Sequence, residues 1–364
     1  MDNAVEDCIT RSRRQGNILD RMLEAYVSKP EPVLSPNQVS RENMVKLFND
    51  FTHKFNCKIK GLECKLETDL DTGYLSKVIS IDISGINVNF LAPSFKDVPM
   101  ILHAIHTFSL MFKLPKGLVM YICLDENQRT FDAIPDQKLD LETKMKILKQ
   151  NSRVFSTSGV TYPFKKTIYL TKREEMVKLL FHELVHYAKL DNVFFDYPIK
   201  TKWGIKDKDL NISESYTEFV SILLHSAYYA IAECSRDDSK YDDLVLRYHQ
   251  IVKDEISYSV ELSANLLKYC LFNESTYMQF FNGESVISFP IQITEYIFIR
   301  TVLMIHLDKV LEIVGPSLYV KKKQVNSIYE IISGDDSLSK LIGPEMKTVP
   351  SNDLSYIKYD VLLL

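Results

Sequence analysis

"TIYLTKREEMVKLLFHELVHYAKLD", residues 167–191, runs from a β-branched and aromatic segment straight into a helix-forming one. The first part, with Lys165 and Lys166 before it, has strand composition over 165–170. Thr171 followed by Glu174 has the S/T-x-x-E spacing of a capping box, which predicts that a helix starts there. Val177, Leu180, Phe181, Leu184 and Ala188 then recur at helical spacing and define a core-facing stripe.

On a neighbouring face of that helix, His182 and His186 stand one turn apart, so both imidazoles can aim at one point. Two ligands of one tetrahedral Zn²⁺ need that geometry. Glu183, beside the first histidine, is placed to reach a metal-coordinated water without ligating the metal, which completes H-E-x-x-H. The bland account is two satisfied histidines on a half-buried helix with a solvated neighbour. A second acidic cluster weighs against it: in "LNISESYTEFVSILLH", 210–225, Glu214 and Glu218 are also one turn apart at the start of an apolar helix. Such a pair repels unless a dication offsets it, although an acidic first turn is also what a helix dipole favours.

Working outward from this centre, the N-terminal half is mixed. Residues 1–28 read as a charged helix and "KPEPVLSP", 29–36, as an extended linker, together an arm. A helix is expected over 40–54 with Met44, Leu47, Phe48 and Phe51 on one face, then strands over 57–67 and a hairpin over 77–92 turning at Ser84-Gly85. Next come a helix over 98–114, a strand over 116–124 and a short helix over 140–152. Beyond 205 the periodicity is almost all helical, near 212–233, 239–256, 259–272, 291–313 and 317–333. The expected fold is therefore α+β: an N-terminal mixed or antiparallel sheet with helices, the H-E-x-x-H helix, and a mainly helical C-terminal part. The boundaries drawn are 1–36 arm and linker, 37–205 α/β part, 206–334 helical part and 335–364 tail.

Composition narrows the function classes. The chain has 364 residues, a formal charge of −4 and a charged fraction of 25%, so it has no global basic footprint for nucleic acid. Six cysteines without a CxxC pair read as reduced thiols. The N-terminus is acidic before it is basic, the wrong order for a secretory signal, and no export is expected. The apolar run 287–307 is interrupted by Pro290, Glu295 and Arg300, so it reads as a buried helix and not a membrane span. Phosphate-cradling glycine motifs are missing.

The two acidic turns resemble the arrangement of gluzincin metallopeptidases, in which a glutamate beyond the HExxH helix is the third zinc ligand. That resemblance implies Glu214 as ligand, with Glu218 one turn on accepting the free ring N–H of His182; the reverse order fits the same spacing. The metzincin pattern fails at Lys189 and Asn192, and Asp191 and Asp196 are weaker ligand candidates. "TIYLTKREEMVKLLFHELVHYAKLD" followed by "SESYTEFVSILL" is similar to HExxH metallopeptidases encoded by nucleocytoplasmic large DNA viruses, over about 157–225, with a fainter echo at "ITEYIFIRTVL", 293–303.

The resemblance implies a zincin-like fold and a Zn²⁺-dependent hydrolase with Glu183 as general base. It further implies a protein or peptide substrate, other virion proteins as partners, and a place in the virion or host cytoplasm. An oxyanion donor is also required, for which His225, Tyr228, Tyr229, Tyr248 and His249 are candidates, His225 and Tyr229 being preferred. His103 and His106 read as core histidines. Strand 165–170 is expected to be a substrate-pairing edge, with 158–163 lining the same cleft. The competing class is a virion structural or interaction protein that keeps a structural or vestigial zinc site.

Overall fold

The computed structural model describes residues 18–55, 69–126, 158–196, 199–205, 209–210, 212–235, 241–286, 294–351 and 355–364. The strands expected over 57–67 and the helix expected over 140–152 lie outside these residues. The N-terminal elements are α1 (Ile18–Tyr26), β1 (Val33–Leu34), α2 (Arg41–Phe55), β2 (Lys77–Ile83), β3 (Ile86–Ala92), α3 (Val98–Met111), β4 (Val119–Cys123), β5 (Gly159–Tyr162), β6 (Thr167–Thr171) and α4 (Met176–Tyr187). After the small β7 (Ile199–Lys200) and β8 (Asp209–Leu210) pair come α5 (Ser213–Cys234), α6 (Tyr241–Tyr269) and α7 (Tyr277–Phe281). A π-helical turn, Thr294–Ile299, leads into α8 (Arg300–Ile305), followed by α9 (Leu307–Val314), α10 (Val325–Ser333) and α11 (Ser337–Glu345). The fold is α+β, with a six-stranded mixed sheet and a helical C-terminal part.

Strand order is β1-β2-β3-β4-β6-β5. The β2–β3 hairpin is antiparallel in a register that pairs Ile83 with Ile86. It turns at Ser84 and Gly85, both at positive φ as a two-residue primed turn demands. β3, β4 and β6 run parallel, and β5 returns antiparallel on β6. Period-two alternation sorts the two faces. Val88, Phe90, Met120, Ile122, Ile168 and Leu170 point into the main core under α3 and α4. Leu91 and Cys123 point the other way, onto Met44 and Phe48 of α2.

Several expectations are corrected. Ile18–Tyr26, read above as part of an arm, packs on α3 and α5 through buried Ile18, Leu19, Met22 and Ala25; apolar residues at this spacing cannot be left in water. The segment after 335, read as a tail, is also embedded. Ile357 and Val361 are buried, and the Glu255 carboxylate accepts the Lys358 and Tyr359 amides. The helices expected over 239–256 and 259–272 are one 29-residue helix, α6, because no glycine or proline interrupts it and its buried stripe continues through Glu255, Ser259 and Leu262.

The capping box at Thr171 does not form. The Thr171 hydroxyl bonds Ser158 O at 3.3 Å, and α4 begins only at Met176. Glu175 precedes it in the left-handed region at φ 58, with its N–H donated to Asp360 Oδ2 at 3.0 Å. A carboxylate 185 residues away thus meets an orphan donor that a local cap would normally serve. Strand β6 is interior, flanked by β4 and β5, so the edge expected at 165–170 falls instead to β5.

Candidate metal centre

Helix α4 lies between the sheet and α5, touching both. Its stripe of Val177, Leu180, Phe181 and Leu184 is buried, and Phe181 sits between the rings of Phe108 and Tyr228 at 5.9 and 5.8 Å. That packing fixes which way the neighbouring face turns: His182 and His186 look towards the first turn of α5, where Glu214 stands. Their Nε2 atoms are 3.1 Å apart, and each is 3.3 Å from Glu214 Oε2. Ligand atoms about 2.0–2.1 Å from one tetrahedral centre are separated by roughly 3.3 Å, so the three donors have the spacing of three corners around a single ion. Among the described residues, His182, His186 and Glu214 form the group able to hold a metal.

The other ring nitrogens face carboxylates on the far side from Glu214 Oε2. His186 Nδ1 is 2.7 Å from Asp191 Oδ2, and His182 Nδ1 is 3.2 Å from Glu218 Oε1. Burial disfavours charge on both rings, yet Glu214 and Glu218 hold His182 above its ordinary value. Glu214 and Asp191 hold His186 well above its own. Burial would also raise Glu214, but His186 and His182 bring it well below the usual carboxylate range. A desolvated cluster that draws protons onto its imidazoles is short of positive charge, which a dication would supply.

Glu183, next to His182, reaches edge strand β5. Its Oε2 accepts the Thr161 hydroxyl at 2.6 Å. Gly159 leaves the room it occupies: a Cβ there would stand 2.5 Å from Glu183 Oε1. Burial pushes the Glu183 carboxyl up, against the pull of His182, His186 and Thr161. Across the site the Tyr296 hydroxyl donates to Glu214 Oε2 at 3.0 Å. The π-helical turn that carries Tyr296 is a helix form common at functional sites.

Five sequence-expected residues, His182, Glu183, His186, Glu214 and Glu218, lie together here, Glu214 beside the two Nε2 atoms and Glu218 beside His182 Nδ1. The preferred oxyanion donors do not join them. His225 is eleven residues beyond Glu214 on α5, about 16 Å along the axis; it is buried, and burial takes its pKa down to about 3. Tyr229 lies farther along and packs on the Tyr359 ring at 5.1 Å. Tyr228 bonds His103 at 2.8 Å, and Tyr248 and His249 belong to the N-terminal half of α6. His106 meets Ser28 and Ser84 at 3.2 and 2.7 Å, so both this histidine and His103 have structural partners.

Tyr296, Thr161 and the orienting role of Asp191 escape sequence reasoning. The segment "ITEYIFIRTVL" was singled out, but nothing in it ranks Tyr296 above the chain's other tyrosines.

Fold and site together define an α+β protein with a two-histidine, one-carboxylate group able to hold a metal and a glutamate beside it. The chain belongs to the family of "Uncharacterized protein R210" of Acanthamoeba polyphaga mimivirus, with which it is 37% identical over 262 residues, 71% of this chain and 67% of the relative. A viral protein is thus among its relatives. No family model and no solved structure matches. No helix among the described residues is long and apolar enough to cross a membrane.

Proposed function

We propose that this chain is a zinc-dependent metallopeptidase. The observation that carries the reading is the near-equal spacing of His182 Nε2, His186 Nε2 and Glu214 Oε2, 3.1 to 3.3 Å, next to a buried glutamate that is not one of the three. His182, His186 and Glu214 would hold the ion. When bound, Zn²⁺ supplies Lewis acidity, which brings a coordinated water's pKa to about 7 and polarises a carbonyl.

The chain's own groups supply the rest. Glu183 takes a proton from the attacking water at a carboxylate oxygen and returns it to the leaving amine. Thr161 keeps that carboxylate on the β5 side. Burial, then Glu214 and Glu218, raise the Tyr296 phenol well above its ordinary value, so it stays a donor at neutral pH, suited to a developing oxyanion. Strand β5, at the sheet edge beside Glu183, offers backbone groups to an extended peptide.

Zinc as a mere staple in a virion scaffold would give no task to Glu183, a carboxyl whose burial costs stability that a single hydrogen bond from Thr161 only partly offsets. A viral relative favours action in a virus-infected cell, in host cytoplasm or virion. The test is metal analysis of the purified protein with cleavage of a quenched-fluorescence peptide library. One zinc per chain is expected, with turnover abolished in Glu183→Gln while zinc stays bound. Protein that carries no transition metal without chelators present overturns the reading.

A further inference from the structure

Each helix at the metal centre repeats one pattern. His182 on α4 is preceded one turn earlier by Lys178, Glu214 on α5 is followed one turn later by Glu218, and Tyr296 is followed four residues on by Arg300 at the start of α8. The first members converge on the donor group and the second members converge on one another. Lys178 Nζ lies 2.6 and 2.5 Å from the two Glu218 oxygens, and Arg300 Nη1 lies 3.8 Å from Oε2. The three side chains are 1%, 3% and 0% exposed.

Below the site there is therefore a second, ionic layer sealed from water. It faces the first through Glu218 Oε1, 3.2 Å from His182 Nδ1. The two cations also stand over one face-forming ring, Tyr356, at 5.2 and 5.8 Å, and that ring is parallel to Tyr296 within 14°.

We propose that Lys178 and Arg300 are positioning residues for the metal centre: they pin the Glu218 carboxylate, and through it set the orientation of the His182 ring. The inference rests on the metal-binding reading above. A carboxylate has about four lone-pair directions. Lys178 donates to Oε1 at 2.6 Å and stands 2.5 Å from Oε2, beside which Arg300 also lies, while Oε1 faces His182 Nδ1 at 3.2 Å. Water cannot take over the cations' role at this depth, and their loss leaves Glu218 both uncompensated and free to turn towards other donors. A buried ion pair that served folding alone would not discriminate between the states of the ring.

The experiment titrates Zn²⁺ and Co²⁺ alone into wild type, Glu218→Gln, Lys178→Met and the double variant, by chelator competition, and records the visible spectrum of the Co²⁺ forms. Glu218→Gln and Lys178→Met are each expected to weaken binding about 10- to 100-fold and to shift the Co²⁺ bands. The double variant is expected to bind no more weakly than Glu218→Gln, since Lys178 acts through Glu218.

A folded Lys178→Met with wild-type affinity and spectrum, or additive losses in the double variant, overturns the proposal. Should Lys178→Met fail to fold, the double variant decides: affinity equal to Glu218→Gln sustains the proposal, and a further loss, or a double variant that does not fold either, overturns it. Wild type that binds neither ion overturns the metal reading itself, and the proposal with it.

Discussion

The Tyr296 hydroxyl and the Glu214 carboxylate, 82 residues apart in the chain, are joined by a 3.0 Å hydrogen bond across the mouth of the donor group. This bond brings a phenol from the π-helical turn to the first turn of α5, where a developing negative charge would need a donor. Replacing Tyr296 with Phe is expected to leave zinc bound and to lower kcat about 100-fold with little change in KM, as removal of one oxyanion donor does. Steady-state peptide cleavage with metal analysis reads this out; unchanged kcat removes Tyr296 from the chemistry.

Gly159 and Glu183 provide a second test. A methyl at position 159 would stand 2.5 Å from Glu183 Oε1, so one of the two must move. Gly159→Ala is expected to cut turnover at least about tenfold, because a misplaced base loses its proton-transfer geometry. Zinc content should change little, and thermal stability should fall by a few degrees as the forced shift implies. Thr161→Val, which deletes the 2.6 Å bond to Oε2, should act in the same direction.

Metal removal should cost stability as well as activity. An ion that binds the folded chain at 1,000 times its Kd adds about 4 kcal/mol. Chelator is therefore expected to lower Tm by several degrees in wild type and by nothing measurable in His186→Ala, as followed by calorimetry with and without added Zn²⁺.

Glu255 gives a pH dependence separate from the metal. Burial raises its carboxyl from 4.5 to about 7, against the Lys358 and Tyr359 amides. The folded state then holds a proton that the unfolded state has released between about pH 4.5 and 7, so stability falls as pH rises through that window. The full effect is on the order of 3 kcal/mol. Glu255→Gln is expected to flatten this slope and to gain stability relative to wild type at pH 8. Denaturant unfolding at pH 5 and pH 8 measures it, and parallel pH profiles for the two proteins would refute the assignment.

What was legible in the sequence is local. The β2–β3 hairpin follows from alternation around Ser84-Gly85, and α3 and α4 follow from apolar spacing. His182, Glu183 and His186 are set by position on one helix. The Glu214–Glu218 pair was also visible, because an i, i+4 spacing already decides that two side chains share a face.

The errors fell where a distant partner decides. Thr171 and Glu174 have a cap's spacing, but Asp360 reaches Glu175 first and Ser158 engages Thr171. Strand 165–170 looked like an edge until β5 paired with it.

By itself, then, the sequence determined which elements form and which residues stand one turn apart on them, since helix and strand periods are properties of a short stretch of backbone. Only the tertiary structure decided that Tyr296, and not His225 or Tyr229, reaches Glu214. It likewise decided that Thr161 holds Glu183 and that Lys178, Glu218 and Arg300 close on each other beneath the site. Those pairings depend on how helices from three parts of the chain pack, and on which buried charges must find partners once water is excluded.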